Sequence, residues 1–278
     1  MGSHIQGKLN WLQHNLPDGL VVDAGWLERQ GISRQLRSKY VQNGWLQTLC
    51  RGVYARPSRF DGNDKLLWQQ LVISLQVLMA VPVAVGGRTA LELQGLGHYL
   101  TADGPREVHL YSNHNPPGWV ASLPVSTKLI FHRATKLFKA GEIPPYNERQ
   151  RAAAHHPSLT RQPWGHWNWP LILSTPERAI LELLDEVPQR ETFHQADVLM
   201  EGLRTLSPRR LRPLLTDCQS VKVKRLFLWF AERHNHAWLA KINRAGIDLG
   251  KGKRMLVRGG KLDTKYNITV PEIPDANL

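Results

Sequence analysis

The first apolar positions, Ile5, Leu9, Leu12 and Leu16, recur three to four residues apart, and Pro17-Asp18-Gly19 follows with turn chemistry. That spacing predicts an amphipathic helix ending near residue 16. A second short helix is predicted over residues 23–29, with Ala24 and Leu27 inward and Gly31 as its stop. Ser33 then stands where an N-cap belongs, its hydroxyl able to accept from the free amides of the next turn. A third helix is predicted over residues 34–43, ended by Gly44. Two β-prone runs, residues 45–49 and 53–55, flank Cys50-Arg51-Gly52 and predict a hairpin. Helix, helix, capped helix and hairpin make a winged helix-turn-helix within residues 5–57.

The third of these helices carries the candidate chemistry. Leu36, Tyr40 and Val41 form a narrow apolar face, while Arg34, Gln35, Arg37, Ser38, Lys39 and Gln42 cover the rest without a single carboxylate. Arg and Gln near a helix start can present bidentate donors to guanine and adenine edges in the major groove, and an acid there would face phosphate. Arg34, Gln35, Arg37 and Ser38 are therefore expected at base edges, behind the Ser33 cap. Lys39, Gln42, Arg51 at the hairpin tip, Tyr54 and Arg56 are expected at phosphate or the minor groove. A small bundle with a solvated basic face shares this periodicity, and RNA remains an alternative ligand. The acid-free helix and the Arg-tipped hairpin favour double-stranded DNA.

Beyond Pro57 the pattern mixes periods. A buried helix is predicted over residues 64–79, a strand over 83–85, a helix to Leu93, and alternating strands over 107–111 and 128–132. Gly86-Gly87-Arg88-Thr89 precedes a helix but lacks a Gly-Lys-Ser/Thr, so it reads as a tight turn rather than a phosphate cradle. Trp164, Trp167 and Trp169 crowd around Pro163 and Pro170 and are read as packing residues. From Thr175 the pattern is mainly helical: Pro176 sits at a helix start with Glu177 in the first turn, and Ser207-Pro208 repeats that signal. A strand over residues 266–270 closes the chain. The expected fold is α+β, an N-terminal winged helix-turn-helix followed at 64–278 by a larger mixed α/β C-terminal domain, mixed to about residue 170 and ending in a helical bundle.

Charge changes this picture in one respect. The 278 residues carry 36 Lys and Arg against 23 Asp and Glu, a formal +13, which favours polyanions. Residues 1–60 hold +5, residues 61–200 hold −1, and residues 201–278 hold +9. The last segment therefore predicts a second polyanion or partner surface, built from Arg209, Arg210, Arg212, Lys222, Lys224, Arg225, Lys251, Lys253 and Arg254. The bland alternative is an ordinary charged bundle surface.

Other chemistry is thinly represented. Cys50 and Cys218 are far apart and in no ligand pattern, so no disulfide or zinc site is expected, consistent with a reducing cytoplasm. His155-His156, His166, His234 and His236 lack acidic or Cys partners at ligand spacing. The apolar run over residues 71–85 is broken by Ser74, Gln76 and Pro82 and falls short of the ~20 residues of a membrane span. No Glu-x-Lys occurs; Asp263-x-Lys265 is the nearest approach, and no Gly-x-Ser-x-Gly is present. The chain is expected to bind no cofactor or metal and to be no enzyme, with a metal-dependent nuclease-like C-terminal domain as the alternative.

Gly25-Trp26-Leu27-Glu28-Arg29-Gln30-Gly31-Ile32-Ser33, Gly44-Trp45-Leu46 and Arg51-Gly52-Val53-Tyr54 resemble the N-terminal domain of AbiEi-type antitoxins of bacterial type IV toxin–antitoxin systems. Leu91-Glu92-Leu93-Gln94-Gly95-Leu96, Ser174-Thr175-Pro176-Glu177-Arg178-Ala179, Lys251-Gly252-Lys253-Arg254 and Gly259-Gly260-Lys261-Leu262-Asp263 are similar to the larger C-terminal domain. The resemblance implies a winged helix that binds inverted repeats in its own promoter and represses the operon. It also implies a C-terminal domain active against a nucleotidyltransferase toxin. Such antitoxins are described as acting without a stable toxin complex, though not uniformly. Two copies of the chain on an inverted repeat would set half-sites about one helical turn, or a multiple, apart.

Overall fold

The computed structural model describes residues 2–57, 66–97, 105–146, 156–166 and 168–272, without the side chains of residues 2–6. Trp167, His155 and the first two residues of the helix expected from residue 64 lie outside them.

Helix α1 (Gly2–Asn15) leads into β1 (Val21–Asp23), α2 (Ala24–Arg29), α3 (Arg34–Gln42), β2 (Gln47–Cys50) and β3 (Val53–Ala55). Asp23 caps α2 by accepting from the Trp26 amide at 2.7 Å, and Gly31 turns the chain at φ +74°. Leu12, Leu16, Leu27, Ile32 and Tyr40 meet in a solvent-free core that fixes the two helices against α1. The wing is a three-stranded sheet in the order β1-β3-β2, all antiparallel. Strand β1 is not predicted by the pattern; three residues are too few to declare a period, and their place in the sheet comes from pairing with β3.

The winged module is bonded directly to the body of the protein. Helix α4 (Trp68–Ile73) runs on as a π turn over Ser74–Leu78. The Val21 amide donates to Ser74 Oγ at 2.8 Å, and Trp26 Nε1 donates to the Leu78 carbonyl at 2.7 Å. Buried Gln76 then donates to the Val83 and Ile172 carbonyls and accepts from the Ile172 amide, each at 3.0 Å. An amide side chain thus substitutes for ladder bonds between neighbouring strands, which is why a polar residue interrupts the apolar run.

Those strands belong to a five-stranded sheet in the order β6-β5-β4-β8-β7, built from β4 (Val83–Val85), β5 (Glu107–Ser112), β6 (Lys128–Arg133), β7 (Leu159–Trp164) and β8 (Trp169–Ser174). Strands β7 and β8 form a hairpin in which Trp164 faces Trp169 and Pro163 faces Pro170, with both tryptophans packed on the core. Helices α5 (Gly87–Leu93), α6 (Ala134–Leu137), α7 (Pro176–Glu186), α8 (Phe193–Gly202), α9 (Pro208–Asp217) and α10 (Val221–Arg233) complete the body. A small sheet of β9 (Arg254–Met255), β10 (Lys261–Asp263) and β11 (Ile268–Val270) closes it. The fold is α+β, with the helical bundle following the mixed sheet region as expected.

Buried charge organises the centre. Arg178, 1 % exposed, donates to Glu182 at 2.7 Å, to Ser158 Oγ at 3.2 Å and to the Gly141 carbonyl at 3.2 Å. Glu182 also accepts from Ser174 Oγ and from the Gly87 amide at 3.0 Å. The Gly86-Gly87 segment is therefore a tight turn whose amide is held by an internal carboxylate. A Cβ at Gly86 would collide with Glu182 and Tyr111, so no room is left there for a phosphate.

Candidate nucleic-acid interface

Helix α3 is short because Ser33 starts it and Gly44, at φ +69°, ends it. The Ser33 hydroxyl accepts from the Leu36 amide at 3.4 Å. Ser33, Arg34, Gln35, Ser38, Lys39 and Gln42 are exposed, whereas Tyr40 is buried and Leu36 and Val41 pack on the core. Arg51 is exposed beside Gly52, whose φ of +81° makes the wing turn. Arg34, Lys39 and Arg51 have no carboxylate partner among the described residues. Helix α3 thus has one polar face with two unpaired cations, two glutamines and Ser38 behind a serine cap, and the wing turn separately exposes Arg51.

Three expected contacts are placed elsewhere. Arg37 is 5 % exposed: it donates to the Ile32 and Ala24 carbonyls at 3.1 and 3.4 Å, pairs with Glu28 at 2.9 Å and lies 6.0 Å over the Tyr54 ring. It is a brace joining α2, α3 and the wing, not a base-edge donor. The signal was in the spacing, since residue 37 precedes Tyr40 and Val41 by three and four positions and so shares their inward face. Arg56 donates to the Gln13 and Leu16 carbonyls at 2.7 and 3.1 Å and pairs with Asp18 at 3.0 Å. It satisfies the end of α1 rather than facing outward. Tyr54 is half-buried, with the Arg37 guanidinium 6.0 Å from its ring centre. Gln47 and Thr48 on β2 are exposed one after the other, next to a register shift between Thr48 and Cys50 that breaks simple alternation.

The C-terminal basic residues divide in the same way. Arg209, Arg210 and Arg212 on α9 and Lys251, Lys253 and Arg254 near β9 are exposed. Lys224 and Arg225 are buried, at 4 and 2 %. Arg225 donates to the carbonyls of Leu249, Gly250, Gly252 and Asn267 at 2.7–3.1 Å, holding the glycine-rich segment against α10. Lys222 donates to the Asp185 and Val187 carbonyls at 2.6 and 2.8 Å, capping α7. Arg225 and Lys222 are satisfied by backbone oxygens and Lys224 is buried, so these three are not part of an outward basic surface.

His132 and His109 share a hydrogen bond at 3.0 Å beside Glu186, and burial, with Arg190, pushes the His132 ring down to about 4. His234 meets Asp197 at 2.7 Å, and His236 meets the Met200 carbonyl at 2.7 Å. Among the described residues no group of three or more His, Cys, Asp or Glu could hold a metal ion. Both cysteines are free, and burial pushes the Cys218 thiol up to about 11. No helix among the described residues is long and apolar enough to cross a membrane.

The architecture defines a winged-helix protein with a larger α+β body. The chain matches the N-terminal domain of the AbiEi antitoxin transcriptional regulators over residues 5–102. Over residues 105–271 it matches the transcriptional regulator itself, the AbiEi antitoxin of type IV toxin–antitoxin systems. It belongs to that family. Among solved structures, the RV2827C protein from Mycobacterium tuberculosis is similar at 14% identity and a TM-score of 0.50, covering 94% of this chain and 88% of that one. That likeness is one of fold. No curated protein matches.

Proposed function

We propose that the chain binds double-stranded operator DNA at inverted repeats in its own promoter, through α3 and the wing, and represses its operon. The carrying observation is the outward face of α3, where five polar residues and no acid are exposed behind a serine cap. Arg34, Gln35 and Ser38 read base edges; Lys39, Gln42 and Arg51 hold phosphates. Gln47 and Thr48 extend the contact along the wing. The protein acts in the cytoplasm, with two copies on each operator, and works by binding rather than catalysis. In the same reading the C-terminal region neutralises a nucleotidyltransferase toxin; the family's description supports the antitoxin role in general.

A salt-titrated gel shift on the chain's own upstream region tests the DNA-binding reading. Saturable, sequence-specific retardation with a steep salt slope is expected, because each phosphate contact releases counterions. Cleavage of that DNA with magnesium, or silence at low salt, contradicts it.

A further inference from the structure

We propose that the outer edge of β6, with the apolar groove beside it, docks an extended acidic segment of a partner protein as an added strand. Strand β6 lies at one edge of the five-stranded sheet and pairs with β5 alone, in parallel. In such a pair alternate residues turn their amides and carbonyls away from the neighbouring strand. Among the described residues, no backbone hydrogen bond reaches residues 128–133 from that outer side. The edge is apolar as well as open. Leu129, Ile130 and Phe131 follow one another half-buried, and the exposed charges, Lys128 and Arg133, stand only at its ends. Edge strands are ordinarily guarded by an inward charge, a bulge or a covering segment, whereas the register of β6 on β5 runs unbroken through all its residues.

Leu129 and Phe131, two apart and so on one face of β6, line a groove of about 310 Å³ together with Pro116, Pro117, Val120 and Leu123. No charged side chain lines it. Leu66 bridges to Val125 of the same lining, and the next residue, Leu67, is 45 % exposed. An incoming strand would pair its main chain with the outward groups of β6 and set alternate apolar side chains into the groove. The cations fix the sign of that strand. Arg133 lies two residues beyond Phe131 on the same face, and Lys136 and Lys139 follow it; all three are exposed and make no ion pair among the described residues. Asp217, which meets this segment, accepts from the Ala140 amide at 3.0 and 3.1 Å. A second copy of the chain fits badly: two β6 strands paired antiparallel about their centre set Lys128 opposite Arg133 twice, and like charges directly opposite destabilise a sheet. A nucleic-acid strand would answer the cations but neither the open strand edge nor the apolar groove.

Peptides selected on the full-length chain from a random displayed library test this without naming the partner in advance. The expected consensus alternates apolar residues and carries acids on one flank. A synthetic peptide of that consensus should protect outward amides of residues 128–133 from hydrogen exchange. Its affinity should fall about tenfold or more for Ala121→Arg, which blocks the groove from an exposed position, and for the charge reversal R133E/K136E/K139E. The same peptide with lysines in place of its acids should bind the reversed variant better than the original chain. All four positions are exposed, and unchanged thermal unfolding of both variants checks that the fold is intact. An empty selection, binding indifferent to Ala121→Arg, or amides that exchange as fast with the peptide as without it overturns the docking edge. A consensus without acids, or displacement of the peptide by a short single-stranded DNA, overturns the acidic partner. No readout involves operator DNA, so this inference and the operator reading fail separately.

Discussion

The two basic ends of the chain use their charge differently. In the N-terminal module, Arg34, Lys39 and Arg51 stay outside and unpaired around one polar helix, while Arg37 and Arg56 are turned inward as braces. In the C-terminal third, Arg225, Lys224 and Lys222 are drawn into the body, while the exposed cations include those on α9 and near β9. A segment's net charge is therefore a poor measure of its ligand-facing surface. An internal arginine satisfied by carbonyls contributes to the sum without facing any partner. The inward residues hold the fold, and the outward ones are available for ligands.

The largest effect expected from breaking that division is at the centre. Arg178→Ala leaves Glu182 buried without its cation and should cost about 3–5 kcal/mol in a denaturation experiment. Arg225→Ala frees four carbonyls and should cost about 3 kcal/mol, with Arg225→Lys restoring little because one ammonium cannot span them.

Smaller losses are expected from pH and from the brace in the winged helix. His132 is held neutral in the folded chain down to about 4, whereas its ordinary pKa is 6.5. Below 6.5 the unfolded chain takes up a proton that the folded chain refuses, so stability should be flat above that pH and fall toward 4. The fall attributable to His132 should be roughly 1–3 kcal/mol, and His132→Gln should flatten it. Arg37→Ala should cost about 1–2 kcal/mol, mostly from its carbonyl bonds, since Glu28 is largely exposed and that ion pair is weak. At the bottom of the scale, alanine at Lys251, Lys253 or Arg254 should leave stability within about 0.5 kcal/mol, as these side chains touch nothing that needs them. A large loss there would blur the distinction between the two kinds of cation.

Much of this was legible in the sequence. The α2–α3 turn, the Ser33 cap and the hairpin were set by local chemistry: a glycine at positive φ, a hydroxyl at an N-cap, two short β-prone runs. Strand β1, Gln76 bridging β4 and β8, and the contacts of the Arg178–Glu182 pair with Gly87, Ser158 and Gly141 were not, because each depends on partners distant in the chain. For Arg37, Lys224 and Arg225 the helical spacing did carry information. Each precedes buried or packed apolar residues by three and four positions, and position on the helix outweighs the polarity of the side chain.

The central claim is that outward residues of α3 read DNA and the inward Arg37 only supports them. The most direct measurement is the affinity of wild type, Arg34→Ala and Arg37→Ala for the chain's own upstream DNA and for a scrambled competitor, at fixed salt, compared with each variant's stability. Arg34→Ala should lose about 1–3 kcal/mol of discrimination with its stability unchanged. Arg37→Ala should lose stability, and the chains that remain folded should discriminate as wild type does. Discrimination that survives Arg34→Ala and disappears with Arg37→Ala would contradict the account.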